Sequence, residues 1–267
     1  MLTKRIIACL DVVDGLVTKA RKFQDNIEIR PAVDVTSDLY EDGIDEVIFY
    51  DIKASSDKRP IDLGTVRKVA SRIFVPFTVG GGIRNLSDMM AVLRSGAEKI
   101  SIDSMAVRNP EIISHGSGEF GRQCMVVSMQ VKRVERSASV PTGFEIAIDG
   151  AREFTGMDAL DWAKRAVDLG AGELCVNSID RDGTHAGFDI ELMEMICDSV
   201  NVPVIASGGA GTTRHVADVL KTDASAAIVS SMLYSPRLPR NFSCTEIKRF
   251  LVKEGIHVRP DFEVDPA

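Results

Sequence analysis

The chain has 267 residues, 45% of them hydrophobic, with a formal net charge of −7 and a pI near 5.2. That acidity argues against a general nucleic-acid or polyanion binder, so any anionic ligand needs a locally built site. Five cysteines without a CxxC pair and four histidines without ligand spacing argue against a disulfide framework and a zinc site.

The opening MLTKRIIACLD lacks the shape of a signal peptide, and no apolar run approaches a membrane span. A cytoplasmic protein with free thiols is expected, with no metal or cofactor, no membrane and no nucleic-acid partner.

In chain order, short runs rich in Val, Ile and Phe predict strands at 5–11, 46–51, 74–79, 99–102, 124–130, 173–178, 203–206 and 226–229. They lack polar alternation, as parallel strands covered on both faces do. Amphipathic patterns predict helices at about 32–43, 61–72, 86–95, 109–118, 157–169, 188–199, 212–220 and 243–254. Asn109-Pro110 reads as an N-cap before a first-turn proline. Eight strand–helix units in this length predict an α/β fold, a single (β/α)8 TIM barrel spanning 1–267.

Two insertions break the regular rhythm. Residues 12–31 carry Lys19, Arg21 and Lys22 and read as a lid; residues 131–150 contain FEIAI between turn signals and read as a small hairpin.

The chain also repeats itself. VPFTVGGGIRN at 75–85 and VPVIASGGAGT at 202–212 are offset by 127 residues, which puts Gly81 over Gly208 and Gly82 over Gly209. The same offset puts Glu46 over Glu173 and Ser104 over Ser231. This reads as a two-fold repeat of half-barrels, about 1–122 and 123–256, with a tail at 257–267.

In such a barrel the loops after the strands form the active face. Asp11, Asp51, the glycines at 80–82, Asp103, Ser104, Gln130, residues 180–184, 207–209 and Ser230–Ser231 would ring one mouth. Glycine-ended strands followed by helix starts present backbone N–H groups to an anion, although tight strand-to-helix turns need the same glycines. Asp182-Gly183 fits either a ligand loop or an Asx turn. Ser104, Ser230 and Ser231 are either anion ligands or simple caps. Asp11, ending an apolar strand, is a candidate catalytic carboxylate. At the opposite end, Arg5, Glu46, Lys99 and Glu173 start their strands, and mutual pairing would close the base.

RIIACLDVVDG, DGIDEVIFYDI, PFTVGGGIRN, GAEKISIDSMAV, SIDRDGT and IASGGAG together resemble the cyclase subunit of imidazole glycerol phosphate synthase over nearly the whole chain. The resemblance implies a lyase of histidine biosynthesis paired with a glutaminase subunit. Ammonia would enter through the barrel base and react at the mouth with a bis-phosphorylated ribotide. It makes Arg5, Glu46, Lys99 and Glu173 an ammonia gate and places Glu98 at the partner interface. One phosphate site falls on Gly81, Gly82, Asp103 and Ser104 with Lys19. The other falls on Asp182, Gly183, Gly208, Gly209, Ser230 and Ser231. Asp11 matches the first of two catalytic aspartates.

Three positions depart from the family pattern. Gln130, in SMQVKRV, stands where the second aspartate is expected, and an amide moves no proton at neutral pH, so a weakened activity is expected. Asp103 stands where asparagine is usual, and the first lid lacks the Gly-Asp-Pro that commonly ends it. Two further readings therefore stay open: a paralogue amidating another phosphorylated or nucleotide-sugar substrate, and a catalytically silent barrel partnering a glutaminase.

Overall fold

A computed structural model describes residues 2–21, 24–54, 57, 59–236 and 240–259; side chains are described except at 19–21 and 24–26. Lys22 and all of the expected tail beyond 259 lie outside the described residues, as does the Lys19 side chain.

The first half contains strands β1 (Arg5–Val13), β2 (Leu16–Arg21), β3 (Gln24–Pro31), β4 (Glu46–Asp51), β5 (Phe77–Gly80) and β6 (Lys99–Ile102). Its helices are α1 (Ala32–Glu41), α2 (Leu63–Ala70), α3 (Leu86–Arg94), α4 (Ser104–Arg108) and α5 (Glu111–Phe120). The second half contains β7 (Met125–Arg133), β8 (Phe144–Ile148), β9 (Glu153–Asp158), β10 (Glu173–Ser178), β11 (Val204–Ser207) and β12 (Ala226–Ile228). Its helices are α6 (Ala159–Asp168), α7 (Ile190–Cys197), α8 (Thr213–Leu220), α9 (Ser230–Tyr234) and α10 (Cys244–Lys253).

Eight parallel strands pair in the order β1-β4-β5-β6-β7-β10-β11-β12, and β12 pairs back to β1. The fold is a closed (β/α)8 barrel. Each strand buries both faces, which explains the uninterrupted apolar runs. Outward residues such as Phe49, Val79 and Val127 pack under the helices, while Ile7, Ile48, Val126, Cys175, Ile205 and Ile228 fill the bore. No helix among the described residues is long and apolar enough to cross a membrane.

Several boundaries differ from the sequence reading. The first insertion is an ordered antiparallel extension, β1 to β2 to β3, rather than a plain loop. The FEIAI hairpin is longer than expected, because β8 pairs both with the end of β7 and with β9. Phe74 is not in a strand: β5 begins only at Phe77, and Phe74 lies 81% exposed on the barrel base. Helix α5 starts at Glu111 with Pro110 in the cap position and no side-chain cap bond, so Asn109 does not serve as the expected cap.

Candidate active site

Four charged side chains close the base of the barrel. Arg5 donates to Glu46 at 2.5 Å and to Glu173; Lys99 donates to the same two carboxylates at 2.9 Å each. Charges alternate around this ring and sum to zero. Glu46 is fully buried and also accepts from Thr78 at 3.1 Å. Burial opposes the Arg5 charge, but the Glu173 and Glu46 carboxylates prevail and hold its guanidinium above its ordinary pKa. Glu98, also at this end, is exposed and accepts from the Phe77 N–H at 2.8 Å.

Above the apolar layer the bore turns polar. Tyr50 and Ser101 hydroxyls lie 2.9 Å apart there; outside the bore, Tyr234 of α9 donates to the Cys9 carbonyl at 2.5 Å. Burial raises the Tyr50 phenol well above its ordinary pKa, so it stays protonated.

At the mouth, three neighbouring strands deliver Asp103, Gln130 and Asn177. Gln130 pairs with Asn177 in the β7–β10 register, and the Asn177 amide donates to Gln130 Oε1 at 2.8 Å. Gln130 Nε2 in turn donates to Asp103 Oδ2 at 3.2 Å. The Ser104 hydroxyl accepts from the Asp149 N–H at 2.9 Å and reaches Asp103 at 3.5 Å. Asp103 keeps some exposure to the mouth, yet it lies deep enough for desolvation to lift its carboxyl to about 7. Asn177 and Asp149 are absent from the sequence reading. Asn177 was signalled there by period two, since Glu173, Cys175 and Asn177 share one face of their strand; Asp149 carried no such signal.

Other carboxylates near this rim are bound by cations. Arg59 forks onto the buried Asp51 at 2.7 and 2.8 Å, and Asp51 also holds the Ala54 N–H, so this residue braces the loop instead of facing ligand. Arg108 forks onto Asp149 at 2.8 and 2.7 Å and holds that carboxyl below its ordinary value. Arg133 grips Asp189 at 2.5 Å, and Lys132 pairs with Asp180.

The two glycine clusters occupy matching places on opposite sides of the mouth. Gly81 (φ +92°) lies against the Asp51 carbonyl, where an added Cβ would stand 2.3 Å away; Gly208 (φ +91°) lies against the Ser178 carbonyl at 2.7 Å. The tight-turn reading of these glycines therefore holds on packing alone. Beside them begin α4 and α9, at Ser104 and Ser230, without side-chain caps. Of the other helices, α2, α3, α6, α7, α8 and α10 are capped by Asp62, Asn85, Asp158, Asp189, Thr212 and Ser243, while α1 and α5 follow prolines and also lack side-chain caps. Uncapped starts leave backbone N–H groups available to an anion. Ser230 Oγ accepts from the Cys9 N–H at 3.3 Å, and Ser231 Oγ lies 3.0 Å from His185 Nε2. Asp182 and Gly183 (φ +68°) form the turn after β10. Asp11 is half-buried on β1, next to Tyr50 in the β1–β4 register.

Gly209 (φ +106°) is tighter still, with an added Cβ 2.2 Å from the Gly187 carbonyl. Gly209→Ala is expected to cost more than about 2 kcal/mol through backbone strain and a displaced Gly187 loop. Urea unfolding checks this; a loss under about 0.5 kcal/mol would contradict it.

The arrangement defines a barrel with one charged, self-neutralised end and one polar mouth flanked by two glycine turns, the plan of a barrel enzyme with its chemistry at the strand C-termini. A family model described as histidine biosynthesis protein matches residues 5–239. Relatives named imidazole glycerol phosphate synthase subunit HisF are 54% identical in Syntrophobacter fumaroxidans and 54% in Nitratidesulfovibrio vulgaris, each over 97% of this chain and 99% of the relative. A third, from Desulfatibacillum aliphaticivorans, is 50% identical over 98% of this chain and 100% of its own length. The chain belongs to the histidine biosynthesis protein family.

Proposed function

We propose that this chain is the ammonia-dependent cyclase subunit of an imidazole glycerol phosphate synthase. Its substrate on this reading is the bis-phosphorylated ribulosyl aminoimidazole carboxamide ribotide. Its products are imidazole glycerol phosphate and aminoimidazole carboxamide ribotide.

The observation that carries the reading is the pair of glycine turns beside uncapped helix starts on opposite sides of one mouth. A ligand with a phosphate at each end fits that pattern, and one with a single phosphate uses half of it. Gly81, Gly82 and Ser104 would hold one phosphate; Asp182, Gly183, Gly208, Gly209, Ser230 and Ser231 would hold the other. Asp11 lies between them as the acid/base. The Arg5, Glu46, Lys99 and Glu173 ring would meter ammonia into the bore. A glutaminase subunit would dock on the base, where Glu98 is exposed and Phe74 and Leu2 are 81% and 92% exposed.

Titration of the chain with the ribotide, without ammonia, tests the two-phosphate geometry. One ribotide per barrel is expected, with removal of either phosphate weakening binding at least tenfold, since one charge-assisted hydrogen bond alone supplies about 1.5–3 kcal/mol. Equal affinity for the mono-phosphorylated forms would contradict it. Gln130 favours a second reading, amidation of another phosphorylated sugar. Tight binding of a different bis-phosphate or nucleotide sugar, with none of the ribotide, would select that reading.

A further inference from the structure

We propose that Asp103 is the second proton-transferring group of the mouth, acting across from Asp11, with Gln130 and Asn177 fixing its carboxyl. The assignment rests on the cyclase reading above and departs from it in giving Asp103 a chemical role, where the family resemblance makes it a phosphate neighbour.

The first support is position. Lys99, Ser101 and Asp103 share the inward face of β6 and its end, so the same strand that starts in the charged ring finishes in the mouth. The second is the partner set. Asp51, Asp149, Asp180 and Asp189 are each gripped by a lysine or arginine, which locks them as carboxylates. Asp103 is held by neutral groups, the Gln130 amide at 3.2 Å and the Ser104 hydroxyl at 3.5 Å. Burial raises its carboxyl to about 7, the two hydrogen bonds lower it, and the Asp149 charge adds to the rise. Both protonation states are then populated at neutral pH, as an acid/base needs.

The third support is the chemistry of position 130. An amide carries no charge, so it leaves the Asp103 equilibrium near neutrality; an aspartate there would set two carboxylates one hydrogen bond apart. The expected pattern has a carboxyl at 130 and an amide at 103. This chain has the two functional groups exchanged, still joined by one hydrogen bond. Asp11 and Asp103 are then the two carboxyl groups of the mouth assigned to proton transfer.

The proton count closes. Ammonia condenses with the ketone of the ribulosyl chain and water leaves; the new nitrogen then bonds to the one-carbon bridge of the substrate, and the bond from that carbon to the aminoimidazole nitrogen breaks. On departure the aminoimidazole nitrogen takes up one proton, and aromatisation of the new ring releases one from the carbon beside the former ketone. Asp103 gives the first and receives the second, ending in its starting form.

Steady-state kinetics with ammonium salt and the ribotide, across pH 5.5–9, test the assignment on wild type, Asp103→Asn and the double variant Asp103→Asn/Gln130→Asp. Other titratable groups near Asp103 are Asp149, held by Arg108, and Cys175 below it, whose thiol burial pushes to about 12; Asp11 stands on β1, across the mouth. The first two keep their charge state across this range, and Asp11 is unchanged in every variant. Asp103→Asn is expected to lower kcat about 10²–10⁴-fold with ribotide affinity within threefold, and to lose the kcat/KM break near pH 7 expected of wild type. The double variant, which returns the carboxyl to 130, is expected to recover at least tenfold. A kcat for Asp103→Asn within threefold of wild type would overturn the assignment, as would a loss residing wholly in ribotide affinity. Both leave the cyclase reading standing, because wild type still turns over. Wild type without turnover removes the cyclase reading and the assignment together.

Discussion

Glu46→Ala is expected to destabilise the barrel by about 3–5 kcal/mol, a large fraction of a typical domain's stability. Glu46 has no exposed surface and accepts from Arg5, Lys99 and Thr78. Its removal leaves two cations facing Glu173 alone, with one positive charge uncompensated. The loss is one of charge balance more than of contact. A double variant, Glu46→Gln with Lys99→Met, restores neutrality and is expected to recover most of the difference, since neutral replacement of a buried pair is often tolerated. Urea unfolding at constant m-value measures both. A loss below about 1 kcal/mol for Glu46→Ala would mean that solvent screens the ring, as it screens surface pairs.

Asp11→Asn is expected to lower kcat about 10²–10⁴-fold while leaving the fold and ribotide affinity nearly unchanged. The amide keeps the shape of the carboxylate at the mouth end of β1 but cannot carry a proton at neutral pH. Kinetics with ammonium salt separate kcat from KM. A raised KM with kcat intact would make Asp11 a binding residue only. Asp11 is placed by β1, whose register is fixed by β4 on one side and β12 on the other. Small changes elsewhere in the rim therefore leave it in position.

The barrel was legible in the sequence because buried parallel strands are written as unbroken apolar runs. The strands at Glu46–Asp51, Lys99–Ile102 and Glu173–Ser178 match their expected bounds. The charged residues starting the strands were legible as a set, since charges at the ends of apolar runs demand partners, and they do pair. The lid was not: β2 and β3 depend on pairing with each other and with β1, a long-range effect that local composition hides. The short helices α4 and α9 were hidden because five residues show no helical period. At the mouth, the glycine clusters and Asp11 could be read from strand ends. The bond between Gln130 and Asp103 could not, because it joins side chains on adjacent strands 27 residues apart. Position 130 alone reads as a lost carboxylate; beside Asp103 it reads as half of a pair.

The decisive measurement is ammonium-dependent turnover of the bis-phosphorylated ribotide by the purified chain. Imidazole glycerol phosphate and aminoimidazole carboxamide ribotide are expected in equal amounts, at a rate that saturates with ammonia and vanishes without it. Tight ribotide binding with no product at any ammonia concentration would contradict the cyclase reading and make the barrel a silent partner.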